Sequence, residues 1–189
     1  MPAADFFIPL GFHIERNAVR ALDLKDVLAE LRESESEPAR VGDSYQFRVD
    51  EKVRSTLKAK PSGKSIALLR QLLEERTTVM AEHFSVALKG FEEPQFLVYR
   101  KGDFFQEHLD QLNQEPRRQV SIVIFLNGRE DYRGGELTFF GLFDGPQWKS
   151  LGFSLDPEPG LLVAFRSHLL HEVRPVESGL RYTAVSWFY

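Results

Sequence analysis

His108 and Asp110 stand two residues apart at the end of the stretch YRKGDFFQEHLD, residues 99–110. On an extended backbone, side chains alternate between faces, so this imidazole and this carboxylate point the same way. One further His on the same side would give a set of two imidazoles and one carboxylate. Such a set occupies one face of a metal ion and leaves the opposite positions open, which suits non-haem Fe(II). Downstream, His168 and His171 are the candidates for the third ligand. His83, beside Phe84, and His13 lack ligand spacing and read as boundary residues of the fold. Arg181 follows His171 by ten residues and opens the terminal run RYTAVSWFY. On that strand Arg181 and Thr183 share a face. An Arg at a strand start commonly forms an internal salt bridge, but its planar fork also grips a carboxylate through two parallel hydrogen bonds.

The elements that must position these residues are legible in outline. Asp23 reads as the N-cap of a helix over Leu24 to Arg32, with Leu24, Val27, Leu28 and Leu31 on one face. ESESEP, ending at Pro38, reads as a loop. SYQFRV, 44–49, alternates as a strand. From Arg48 to Arg70 there are seven basic and two acidic residues, the pattern of a solvated face, with a basic rim near the site as the alternative. Ser65 reads as the cap of a long helix from Ile66 to Lys89. Beyond Gly90 the pattern changes to strands and turns. QVSIVIFLN, 119–127, is β-branched and apolar enough for a buried central strand. At least seven strands at short spacing from Gln95 onward point to a sandwich or barrel, and helices preceding strands give an α+β class.

Composition narrows the function. A chain of 189 residues with 42% hydrophobic content fits one domain with a substantial core. It contains no cysteine, so disulfides, thiolate metal sites and cysteine nucleophiles are excluded and a reducing cytoplasm is the expected compartment. The net charge of -4 argues against non-specific nucleic-acid binding. No apolar run is long enough to cross a membrane, and the first residues lack the basic segment of a secretory signal. The sequence leaves the oligomeric state open.

Four stretches then combine in order: YRKGDFFQEHLD, FLNGREDYRGGELTFF, PGLLVAF and HEVRPVESGLRYTAVSWF. They contain H-x-D, G-G-E-L, P-G-x-L-x-x-F, and H-x-V-x-P-V followed by G-x-R-Y, a far more specific set than the H-x-D alone. In them the chain resembles the prolyl 4-hydroxylase-like branch of the 2-oxoglutarate and Fe(II)-dependent oxygenases. The resemblance implies a double-stranded β-helix, or jelly roll, with N-terminal supporting helices. It implies a single oxygenase domain over residues 1–189, helix-rich to about residue 90 and jelly roll from about 91. It implies that His108, Asp110 and His171 bind iron, and that Arg181 receives the distal carboxylate of 2-oxoglutarate. Thr183 would assist Arg181, and Tyr99 would face the pocket. The implied cofactors are Fe(II), 2-oxoglutarate as co-substrate and O2, with ascorbate as an optional accessory. The implied reaction is hydroxylation of a C–H bond coupled to succinate formation, on peptidyl proline or on another peptide or small molecule. Asp110 argues against halogenation, because halogenating relatives carry a small residue there.

Two departures from the family pattern stand out. Phe125 occupies a position where some members have a Tyr that contacts the co-substrate. The segment from Gly141 to Asp156 is long and aromatic, with Phe143, Trp148 and Phe153, and packing against its own sheet is the preferred reading. Two other readings of the same residues remain: a non-catalytic jelly-roll module for sensing or partner binding, and a cupin-type dioxygenase that does not use 2-oxoglutarate.

Overall fold

Every position of the strand Val120–Phe125 is buried, as its β-branched and apolar residues require. It lies at the middle of a computed structural model that describes residues 3–42, 47–48, 50–111 and 117–189. After a 3-10 turn over Ala4–Leu10 come β1 (His13–Glu15), α1 (Ala21–Glu33), β2 (Ser36–Pro38), β3 (Val41–Gly42), β4 (Phe47–Arg48), β5 (Arg54–Ser55), β6 (Leu57–Ala59) and α2 (Gly63–Phe84). The second half holds β7 (Gln95–Tyr99), β8 (Phe104–His108), β9 (Val120–Phe125), β10 (Tyr132–Gly134), β11 (Leu137–Phe139), β12 (Phe153–Leu155), β13 (Leu162–Arg166), β14 (His171–Val173), β15 (Val176–Gly179) and β16 (Arg181–Phe188).

Two sheets carry the architecture. The major one has seven strands in the order β1-β13-β9-β16-β7-β6-β2, and the minor one five in the order β12-β11-β14-β8-β5. The strand pairs within both are antiparallel. The period of 2 sorts the residues of the major sheet between two cores. Ile122 and Ile124 of β9 and Tyr182 and Ala184 of β16 pack with Leu69, Leu73 and Phe84 of α2. Val123 and Phe125 of β9 face the minor sheet and pack with Phe139 and Val173. The result is a jelly roll whose major sheet is braced from outside by helices. Each fully buried Leu, Ile or Phe contributes roughly 1.5–3 kcal/mol of transfer free energy, so the helix-facing core is a main source of stability.

Several local expectations are corrected. α1 begins at Ala21 after Arg20, and Asp23 sits inside its first turn, bonded to Arg20 at 2.7 Å. An acidic residue favours the first turn as well as the cap, because both lie at the positive end of the helix dipole. ESESEP is not all loop: Ser36–Pro38 pairs with β6 at the sheet edge, where an exposed polar strand and a proline are tolerated. The cap of α2 is Ser62, whose hydroxyl accepts from the Lys64 N–H. Ser65 is buried one turn on and donates to Glu30 of α1, which also receives the Ser62 N–H, so the two helices are tied together there. α2 stops at Phe84 rather than Lys89, with Ser85 in the left-handed region at φ 52°. The 44–49 strand lies largely outside the described residues; Phe47–Arg48 pairs with Val41–Gly42.

Of the aromatic segment, Phe153 packs on its own sheet, while Phe143 and Trp148 stay partly exposed. Phe153 enters β12, and its ring lies 5.2 Å from that of Phe143 and 5.6 Å from that of Phe6. Within the basic run, Lys60, Lys64 and Arg70 reach the carboxylates of Glu37, Asp26 and Glu93 at the surface. Arg54 departs from that pattern, being turned inward and 8% exposed. No described helix is long and apolar enough to cross a membrane.

Candidate metal and co-substrate site

β8 and β14 pair so that His108 lies opposite His171. Asp110 follows β8 by two residues, and potential ligand atoms of the three lie within 4.8 Å of one another. The Nε2 atoms of His108 and His171 stand 3.6 and 3.5 Å from the two Asp110 carboxylate oxygens. Each imidazole is oriented from behind. Nδ1 of His108 lies 2.8 Å from the Gln106 carbonyl, and Nδ1 of His171 lies 2.8 Å from the Leu169 carbonyl. A carbonyl can only accept, so Nδ1 carries the proton and the Nε2 lone pair of both rings turns toward Asp110. His168 sits in the exposed turn before β14 and takes no part in the cluster.

Electrostatics suit a cation at this point. Burial, aided by neighbouring His108, lowers the His171 pKa to about 4 against the pull of Asp110. The ring is therefore neutral at neutral pH and free to donate its lone pair. Burial by itself would raise the Asp110 carboxyl. The two imidazoles, whenever they carry the proton, and a 2.7 Å hydrogen bond from the Ser121 hydroxyl outweigh that and hold it well below the usual carboxylate range. Phe105 stacks on His108 with centroids 3.6 Å apart, while Phe165 meets His171 edge-on at 4.9 Å, so the pair is fixed by apolar walls.

The same cleft is lined by Arg181, Thr183 and Tyr99. Arg181 is 1% exposed, and its Nη1 donates to the Thr183 hydroxyl at 3.2 Å, so the shared face expected from the strand period holds. Tyr99 is its neighbour across β7 and β16, with the guanidinium 4.9 Å from the ring centre. Nε of Arg181 is buried without a partner, and no carboxylate pairs with this guanidinium among the described residues. A buried cation without an anion is costly, so the position calls for an anionic ligand. The flanking sequence makes room for it. Asn127 donates to the Leu180 carbonyl at 2.8 Å and accepts from the Tyr182 N–H at 2.9 Å, clamping the backbone on both sides of Arg181. At Gly135 φ is +64°, and a Cβ would lie 2.9 Å from the Arg181 Cδ, which accounts for the second glycine of G-G-E-L.

Three residues in or beside the site escape sequence reasoning. Ser121, which holds Asp110 and touches the Ser167 hydroxyl at 2.9 Å, lies within an apolar strand. Tyr132 has a buried hydroxyl without a hydrogen-bond partner. Burial pushes its phenol up, with the adjacent Arg181 guanidinium opposing. It brings a hydroxyl to Arg181 in a site where Phe125 offers only a ring, 5.4 Å from the guanidinium. Arg54 lines the cleft from β5 but was one basic residue among seven in its run. Period-2 alternation could have paired Tyr132 with Gly134 and Glu136; nothing in the local sequence distinguishes Arg54.

A fold with this triad and this buried guanidinium in one cleft defines a class, and comparison with known proteins gives the same one. Residues 94–189, just over half of the chain, match the 2OG-Fe(II) oxygenase superfamily, and the chain belongs to that family. A PKHD-type hydroxylase of Shewanella baltica is 33% identical over 129 residues, 65% of this chain and 54% of that protein. Across eight of the curated relatives it matches, the chain spans from 36% to 61% of their length. A prolyl-4-hydroxylase from Pseudomonas putida is similar with a TM-score of 0.71 and 26% identity, over 97% of this chain and 95% of that one. A prolyl hydroxylase from Trichoplax adhaerens, solved with a hypoxia inducible factor oxygen degradation domain peptide fragment, shares the fold at a TM-score of 0.73 and 18% identity, over 98% and 86% of the two chains.

Proposed function

We propose that this chain is an Fe(II)- and 2-oxoglutarate-dependent dioxygenase that hydroxylates a C–H bond of a peptide or small-molecule substrate, with peptidyl proline among the candidates. The whole of residues 1–189 forms one such domain in this reading, and the cysteine-free composition agrees with the cytoplasm as its compartment. One observation carries the proposal: Arg181, buried and without a carboxylate partner among the described residues, lines the same cleft as His108, Asp110 and His171. A purely structural Arg would have found an internal anion, and a metal site alone has no use for a buried guanidinium.

The donor set fits iron: two neutral imidazoles and one carboxylate, arranged on one side of the cleft. When bound, the iron supplies the oxidation of the C–H bond, using O2 and the decarboxylation of 2-oxoglutarate to succinate. The protein does the rest. Asp110 provides the only anion among the ligands and sets their common face, while Ser121 keeps its second oxygen from turning away. The Gln106 and Leu169 carbonyls hold the imidazoles in the binding tautomer. Arg181 and the Thr183 hydroxyl take the distal carboxylate of the co-substrate, which orients its 2-oxo acid end toward the triad. Tyr99, Leu137 and Val173 wall the cleft and limit water.

The test is succinate formation from 2-oxoglutarate with Fe(II) under air, screened against peptide and metabolite candidates. The expected result is a slow basal turnover that a true substrate stimulates. Oxidation that proceeds without any effect of 2-oxoglutarate would move the reading to a cupin-type dioxygenase. No turnover, coupled or uncoupled, would move it to a non-catalytic module.

A further inference from the structure

The geometry points to a second anion-binding group in the metal cleft: we propose that Arg54 receives a carboxylate of the primary substrate. The inference rests on the oxygenase reading above and gives its substrate a chemical class.

Arg54 is 8% exposed and lines the same cleft as the triad and Arg181. Its guanidinium sits 4.7 Å from the centre of the Phe105 ring, and Phe105 in turn stacks on His108. The cation is thus one aromatic ring away from a proposed metal ligand. Its own needs are poorly met. Nη1 makes one long contact of 3.5 Å to the Arg40 carbonyl, and Nε is buried without any partner. No carboxylate pairs with it among the described residues. A cation–π contact is worth about 0.5–2 kcal/mol, less than the several kcal/mol of placing a charge away from water. The ion-paired residues of the same basic run, Lys60, Lys64 and Arg70, pair at the surface, so the inward turn of Arg54 is particular to it.

The surroundings hold it there. Arg54 lies opposite Phe105 in the β5–β8 pair. Next to it the Ser55 hydroxyl donates to Asp103 at 2.7 Å, and Asp103, 5% exposed, also accepts from the Arg100 N–H at 2.8 Å. The Thr56 hydroxyl donates to the Val98 carbonyl at 3.0 Å. The strand that carries Arg54 is therefore pinned before any ligand arrives, as a binding group should be. Charge gives the ligand its sign. Among the described residues, Asp110 is the one acidic residue lining the cleft, against two guanidiniums and, when loaded, a divalent ion. A 2-oxoglutarate dianion leaves one positive charge over, which a substrate carboxylate balances. That carboxylate can belong to a free acid or to an acidic side chain of a peptide, and the two are separable by experiment.

The full chain would be labelled with 15N-arginine, loaded with Zn(II) in place of Fe(II), and followed through its Arg Nε–H resonances. Arg54 and Arg181 are assigned by the loss of their signals in Arg54→Lys and Arg181→Lys. Addition of 2-oxoglutarate should first shift Arg181. N-acetylglycine, with a terminal carboxylate, and N-acetyl-aspartate α-methylamide, with a side-chain one, are then titrated. At least one should shift Arg54 saturably, and the tighter of the two names the source. N-acetylglycine methylamide, which has peptide carbonyls but no carboxylate, should leave it unmoved. By calorimetry, Arg54→Gln should weaken the carboxylate probe about tenfold or more while 2-oxoglutarate affinity stays as in wild type. If no carboxylate moves Arg54 while Arg181 answers 2-oxoglutarate, this inference fails and the oxygenase reading stands. If the carboxylate-free amide moves Arg54 equally, the group reads peptide carbonyls and the inference is again overturned. If Arg181 is silent toward 2-oxoglutarate, it is the oxygenase reading that falls.

Discussion

β9 and β16 present two chemistries one residue apart. Toward the helices, Ile124, Tyr182 and Ala184 join an apolar core with Leu69 and Phe84. Toward the minor sheet, Ser121, Arg181 and Thr183 are just as buried but polar, and Arg181 has an unpartnered donor. The first face gains free energy by removing apolar surface from water. The second spends some of it, since buried polar groups that wait for a ligand are less well satisfied than they would be in water. The difference suits a division of labour: the helix-braced side provides stability, and the inner side holds in place the polar groups that the proposed function assigns to ligands.

The division breaks most visibly if a residue of the inner face proves structural. Asp110→Ala should lower substrate-dependent succinate formation by about a thousandfold or more, some 4 kcal/mol of activation free energy. The metal-free variant should melt within a few degrees of wild type, because the deletion removes one hydrogen bond of the Ser121 hydroxyl, which keeps its contact with Ser167, at a cost of about 1 kcal/mol. A collapsed melt would mean that the carboxylate is part of the core. The converse experiment is Ile124→Ala on the opposite face of β9. It should cost about 2–4 kcal/mol of unfolding free energy by denaturant titration, yet leave metal affinity and turnover intact where the variant is folded. Loss of metal binding in that variant would show that the two faces are not separable.

Within the inner face, Arg181→Lys sharpens the comparison between charge and fork. A lysine keeps the cation but cannot make two parallel hydrogen bonds, so the KM for 2-oxoglutarate should rise about ten- to a hundredfold with iron affinity unchanged. An unaltered KM would place the co-substrate elsewhere. The smallest effect belongs to the helix side, where His13 of β1 meets His83 of α2 with ring centres 5.2 Å apart. Burial first, then His83 and Arg76, lower the His13 pKa, and Glu15 opposes them. Between the folded value and the free value of about 6.5 the unfolded chain binds the proton more readily, so stability is complete above that window and falls as the pH drops through it. His83→Gln relieves the repulsion and should shrink the acid loss, by less than about 1 kcal/mol in urea melts one pH unit either side of 6.5. An acid loss unchanged in the variant would mean that His83 plays no part.

Much of this arrangement was legible because strand geometry is simple. A period of 2 aligned His108 with Asp110 and Arg181 with Thr183, and composition marked residues 119–127 as the central strand. His171 could be preferred over His168 through the motif around it, not through spacing. What stayed hidden depends on contacts distant in sequence. Arg54 looks like its basic neighbours until β5 pairs with β8 and turns it into the cleft. Tyr132 lies beside Arg181 on a strand that ends in Gly134 and is followed by Gly135, both at positive φ. Ser62 and Ser65 are equal as cap candidates by residue type, and Glu30 of another helix decides their roles. ESESEP becomes an edge strand because β6 offers a free edge, which no polar hexapeptide announces by itself.

A crystal structure of the protein grown anaerobically with Fe(II) and 2-oxoglutarate tests the central claim most directly. The account predicts one ion at bonding distance from Nε2 of His108, Nε2 of His171 and a carboxylate oxygen of Asp110. It predicts the co-substrate chelated on the open side of that ion, with its distal carboxylate forked onto Arg181. An ion held by His168 or outside the triad, or a distal carboxylate that leaves Arg181 bare, would contradict it.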